Sequence, residues 1–124
     1  MTDARTAAEA YFHSLEARDW TALTGLLAEE VVYEMPQTRE RITGRDRFLR
    51  FNQEYPGDWH LAVYRLVAEG RRAAAWIDAR VAKEHQDACV WLEFDEAGRV
   101  VRVVDFWPEA YEPPAGREHL AERY

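Results

Sequence analysis

The stretch Gly98-Arg99-Val100-Val101-Arg102-Val103-Val104-Asp105-Phe106-Trp107-Pro108 decides how the chain folds. It is a short apolar run rich in β-branched residues, which suits a buried strand. A turn at Glu96-Ala97-Gly98 leads into it and Pro108 ends it. Arg99 to Trp107 is therefore the expected last strand. One carboxylate, Asp105, stands among its valines and aromatics. An acid there is either a catalytic group or a structural one bonded to backbone amides or to an arginine, and the functional reading turns on which.

The period of two extends upstream. Trp59 to Ala68 reads as a strand, Glu69-Gly70 as a hairpin tip, and Arg72 to Lys83 as the next strand. In that strand Ala73, Ala75, Ile77, Ala79 and Val81 alternate with Trp76, Asp78 and Arg80. Glu84 to Asp87 reads as a turn and Ala88 to Phe94 as a strand. Four consecutive strands joined by short turns make an antiparallel sheet.

Before Pro56-Gly57-Asp58 the period is mostly helical. Ala4, Ala8, Tyr11, Phe12 and Leu15 share one face of a helix expected over Ala4 to Ala17, capped by Thr2 or Asp3. Asp19 caps a second helix that buries Trp20, Leu23, Leu26 and Leu27. Val31 to Met35 is a strand stopped by Pro36. Gln37 to Arg41 reads as a polar loop, and Arg45 to about Gln53 as a short helix burying Phe48, Leu49 and Phe51. Helices that precede a meander must cover one of its faces, giving an α+β domain. A long curved sheet under helices leaves a cone-shaped hollow, the natural place for a ligand.

With 124 residues the chain is expected to be one domain over residues 1–124, with an extended tail over 108–124. Arg117 to Arg123 is read as adding one or two helical turns to that tail. Sixteen basic against 23 acidic residues give a net charge of −7, and no basic stripe is present, so nucleic acid is not an expected partner. The single cysteine, Cys89, allows no internal disulfide, which suits a cytoplasmic location. Met1-Thr2-Asp3 is followed by no apolar stretch of signal or membrane-span length, so no membrane association is expected. His13, His60, His85 and His119 lie apart, without metal-ligand spacing; neither metal nor cofactor is expected.

This order of elements resembles the SnoaL-like proteins of the nuclear transport factor 2-like superfamily. The resemblance spans residues from about 4 to 112. It rests on Tyr-Phe-His-Ser-Leu-Glu-Ala-Arg-Asp-Trp at 11–20, Leu-Ala-Glu-Glu-Val-Val-Tyr-Glu-Met-Pro at 27–36, Gly-Arg-Asp at 44–46 and Gly-Arg-Val-Val at 98–101. It implies a cone-shaped α+β barrel, an apolar small-molecule ligand and a homodimer paired through the sheet. The superfamily holds several activities, so the residues must choose among them.

Against the ketosteroid isomerases, the oxyanion-hole tyrosine matches Tyr11. The general base falls on Met35 and the second acid near Val90, which leaves that mechanism without its base. Against the limonene-epoxide hydrolases, Asp105-Phe106-Trp107 matches the catalytic aspartate with its two following aromatics, and Glu34-Met35-Pro36 stands for Asn-Met-Pro. The water-anchoring tyrosine falls on Val32, with Tyr33 one place off and so expected on the other face. Asp78-Ala79-Arg80 resembles the family's Arg-x-Asp pair in reverse order. A SnoaL-like cyclase needs one acid/base aspartate, which Asp105 alone can supply.

The expected catalytic set is thus Asp105, Arg80, Asp78 and Glu34. Asp78 and Arg80 lie two apart and share a strand face, either in the pocket with Asp105 or on a salt-bridged outer face. Glu34 points either into the hollow or to the surface. The expected substrate-binding set is Tyr11, Trp20, Tyr33, Phe48, Trp59, Val90 and Trp107, with Trp76 and Trp91 as further wall candidates. The expected function is acid/base catalysis on an apolar molecule; the alternative is a non-catalytic small-molecule binding or dimeric interaction domain.

Overall fold

The computed structural model describes residues 3–124. Helix α1 spans Ala4–Ala17 and is capped by Asp3, whose side chain accepts from the Thr6 N–H. The alternative cap, Thr2, lies outside the described residues. Ala4, Ala7, Ala8, Tyr11, Phe12 and Leu15 form its buried face. The helix ends at Arg18, in the left-handed region at φ 57°, whose N–H bonds back to the Leu15 and Ser14 carbonyls. Helix α2, Trp20–Leu26, is capped by Asp19 and sends Leu23 into the core.

Strand β1 then runs from Leu27 to Met35, four residues earlier than the pattern predicts, because Leu27 and Ala28 are already buried beside the core. The segment expected as a polar loop, Gln37 to Arg41, runs into a short strand, β2 (Glu40–Thr43), paired antiparallel with β1. Its composition is polar because it is the sheet edge and neither face is deeply covered. Helix α3, Arg45–Glu54, buries Phe48 against β1.

The meander follows as β3 (Trp59–Glu69), β4 (Arg72–Val81), β5 (Glu84–Phe94) and β6 (Val100–Phe106). Residues Glu84 to Asp87, expected as a turn, are strand paired to Val81 through Asp78. The true hairpin tip is Ala82-Lys83, with Ala82 held at φ 55°. No helix forms over 117–123; only a turn at Arg117 is present, and Leu120 and Tyr124 are exposed.

The strand order is β2-β1-β6-β5-β4-β3. Every pair is antiparallel except β1–β6, which is parallel, so the sheet is mixed and open where the sequence suggested antiparallel pairing throughout. The cause is topological: the meander returns its fourth strand to the side of β1 running in the same direction. Helix α1 packs across β3 and β4, over the face that carries Ala73, Ala75 and Ile77. The small alanines let the helix approach there. Between this helical layer and the curved sheet lies the core, with a hollow at one end.

Candidate active site

The hollow is a cavity of about 850 Å³, within the range of small-molecule pockets. Tyr11, Phe12 and Leu15 of α1, Tyr33 and Met35 of β1, and Val90 of β5 form its deep wall. Alternation explains the β1 contribution: Val31, Tyr33 and Met35 are buried, while Val32 and Glu34 point the other way. Tyr33 therefore faces inward, contrary to the expectation that one place off would turn it away.

Asp105 lies opposite Val90 in the β5–β6 pairing, and so beside the position where the resemblance put a second acid. The residue is half-buried and lines the cavity. Its Oδ2 accepts a short hydrogen bond from the Tyr33 hydroxyl. Its Oδ1 is sealed from bulk water and has no hydrogen-bond partner among the described residues. A buried acceptor without a protein partner is costly unless a ligand or an ordered water meets it.

The electrostatics follow from this geometry. Burial disfavours the charged carboxylate and lifts Asp105 from 3.8 to about 6; the Tyr33 hydroxyl pulls it back in part by favouring the charged form. The Tyr33 phenol is pushed far up by its burial and then by the charge of Asp105, so it stays a neutral donor. Burial and the same charge raise Tyr11 well above the usual phenol range. Two neutral phenols thus face one carboxyl that titrates near neutrality.

Phe48 lies behind this wall, 1% exposed, and holds both phenols. Its ring stacks on Tyr11 at 6.4 Å between centroids and meets Tyr33 at 5.0 Å. It positions the site without lining the cavity. Trp59 lines the cavity and carries the Arg18 guanidinium 3.3 Å above its ring, which ties the end of α1 to β3. Trp107 also lines the cavity, and its backbone N–H donates to the Gln37 side-chain oxygen.

Several expected site residues lie elsewhere. Glu34 is on the outer sheet face, bound to Arg41 at 2.8 Å and to Arg102 at 2.6 Å, and these two arginines hold its carboxyl below the usual range. Asp78 is also absent from the cavity wall; its carboxylate is 2.8 Å from His85. Arg80 does line the cavity, at the mouth, so the two residues read as a pair are separated in use. Trp20 packs half-buried on α2 against the core and not in the cavity. Trp76 is 48% exposed on the outer face, bonded to Asp87, and Trp91 is half-buried there and donates to Glu93.

The sequence reading put Phe48 of α3 in the cavity wall but missed Phe51 and Asn52 of that helix and Tyr55 at its C-cap, which line it. The spacing of Phe51 and Tyr55, four apart, is the signal that could have revealed them. Asn52 spends one amide N–H on the Phe48 carbonyl. Among the described residues no group of three or more His, Cys, Asp or Glu side chains is arranged to hold a metal. Among the described residues no helix is long and apolar enough to cross a membrane.

Residues 8–103 match the family model of the SnoaL-like domain, and the chain belongs to that family. Its fold is that of the NTF2-like proteins. A crystal structure of a candidate ketosteroid isomerase from Kribbella flavida DSM 17836 is similar over 98% of this chain and 89% of that one, with 55% identity and a TM-score of 0.95. An NTF2-like protein of unknown function from Burkholderia xenovorans LB400 is similar over 98% and 94%, with 22% identity and a TM-score of 0.81. An LEH-like epoxide hydrolase from M. tuberculosis is similar over 85% and 82%, with 22% identity and a TM-score of 0.70. No curated protein matches the chain.

Proposed function

We propose that this protein is a cofactor-independent acid/base enzyme that moves a proton on an apolar carbonyl compound, as an isomerase or cyclase does. Asp105 is the base and later the acid. It takes a proton from the carbon next to the carbonyl, and the C–H electron pair becomes the enolate. The neutral phenol of Tyr11 is the donor placed to meet the enolate oxygen, since Tyr33 spends its hydroxyl on Asp105. Asp105 then returns the proton at another carbon, or the enolate carbon attacks a second carbonyl in the same molecule.

The observation that carries this reading is the Asp105 carboxyl, which lines the cavity, accepts from the Tyr33 hydroxyl and titrates near 6. A base whose pKa lies near the operating pH combines availability with driving force. The similarity to the candidate ketosteroid isomerase supports proton transfer. Met35 and Val90 carry no acid, so the proton shuttle in this chain moves to β6.

A substrate-independent test is Kemp elimination of nitrobenzisoxazole. A desolvated carboxylate removes its C–H proton, the N–O bond breaks, and a coloured cyanonitrophenolate is released. The wild-type protein should catalyse this with activity rising through pH 6, and Asp105→Asn should lose about a hundredfold or more. Equal rates in both proteins would leave a binding domain without catalysis. The outer sheet face exposes Tyr64, Trp76 and Phe106, at 46%, 48% and 45%. That supports a second part of the proposal, pairing with another copy of the chain through this face.

A further inference from the structure

Among the described residues Arg80 is the only arginine or lysine in the cavity wall. It is the last residue but one of β4, between His60 and His85 on the neighbouring strands. A half-buried arginine is normally paired with an acid. Here the acid two residues away on its own strand, Asp78, is engaged by His85. His60 in turn is held by Glu16 and Asp58, at 2.9 and 3.0 Å. Among the described residues no carboxylate comes within ion-pair distance of Arg80, and its Nε is sealed from water with no acceptor.

From this juxtaposition we infer that Arg80 anchors an anionic group of the substrate, a single carboxylate or its chemical equivalent, at the mouth of the cavity. The inference rests on the proton-transfer reading for what happens at the other end. A planar guanidinium with unused N–H donors matches a carboxylate in two-point geometry. The wall also carries Glu40, Glu84, Asp87 and Glu109, all exposed. Their charges are screened by solvent, but they oppose any ligand of high negative charge. One anionic group in direct contact with Arg80 is therefore favoured, and a polyanion is not.

Asp105 and Arg80 both line the cavity. The substrate class is thus an apolar acid, with its reacting carbonyl at Asp105 and its anionic group at Arg80.

The test uses two fluorescent probes of one skeleton: anilinonaphthalene sulfonate, an apolar monoanion, and neutral N-phenylnaphthylamine. The wild-type protein should bind the anion more tightly. Arg80→Met should weaken the anion about tenfold, the value of one charge-assisted hydrogen bond. Binding of the neutral probe should not change, which also shows that the cavity is intact. Arg80→Lys should recover part of the loss. Equal weakening of both probes, or anion binding unaffected by Arg80→Met, overturns the anchor. The outcome is independent of Kemp elimination, which fails or succeeds through Asp105, so the two claims can fall separately.

Discussion

Replacing Asp105 by Asn should make the protein more stable at neutral and higher pH, with the gain shrinking in acid. In the folded chain the carboxyl titrates near 6 against an ordinary 3.8, because burial disfavours its charge. Holding it ionised in the cavity costs about 3 kcal/mol, from 1.36 kcal/mol per tenfold change in proton affinity. The sign follows from proton counting. Between the two values the folded state binds more protons than the unfolded state, so stability falls as pH rises. It is greatest below about 4, falls through 6, and levels off above. The carboxamide carries no charge, and its oxygen still accepts from Tyr33.

The assay is urea unfolding of both proteins at several pH values from 4 to 8, compared as a difference. Titration of every other group is common to the two and cancels. Asp105→Asn should gain up to about 3 kcal/mol at pH 8, a ceiling set by full desolvation, and the gain should shrink to a constant near pH 4. Parallel stability curves, with no pH-dependent gap, would refute the claim that Asp105 is desolvated.

Tyr33→Phe removes the donor that lowers the Asp105 pKa, so the acid limb of the Kemp profile should move to higher pH; an unmoved limb would mean the bond does not bear on the carboxyl. Phe48→Ala should destabilise by about 3–5 kcal/mol, read by thermal or urea unfolding, because a wholly buried ring is lost from between two tyrosines. The double substitution Trp76→Glu, Phe106→Glu should convert a dimer to a monomer in sedimentation equilibrium, without unfolding, since both residues are half exposed.

The elements written in clear periodicity were legible. Helix α1 has the bounds its apolar spacing and acidic cap imply, and the four-strand meander follows from alternation between turn residues. What escaped was set by long-range pairing. Strand β2 is polar because it is an edge, and the parallel β1–β6 contact joins residues about 70 apart in sequence, which no local pattern encodes. The hairpin tip at Ala82-Lys83 carries neither Gly nor Asn, so the polar run after it looked like the turn.

The site was legible in the same uneven way. The apolar company of Asp105 and its match to a family pattern singled it out, but nothing local said that Tyr33 would reach it. Strict alternation from Val31 does turn Tyr33 inward and Glu34 outward; the aligned position of another family's tyrosine obscured it. Asp78 and Arg80 share a strand, yet His85 captures the acid and leaves the arginine free, a partition decided by the neighbouring strand.

The most direct measurement is the titration of the Asp105 carboxyl carbon by NMR, assigned by its absence in Asp105→Asn. A midpoint near 6, moving upward in Tyr33→Phe, is the expected result. A midpoint near 4 in both proteins would put this carboxyl in water and remove the base from the reaction.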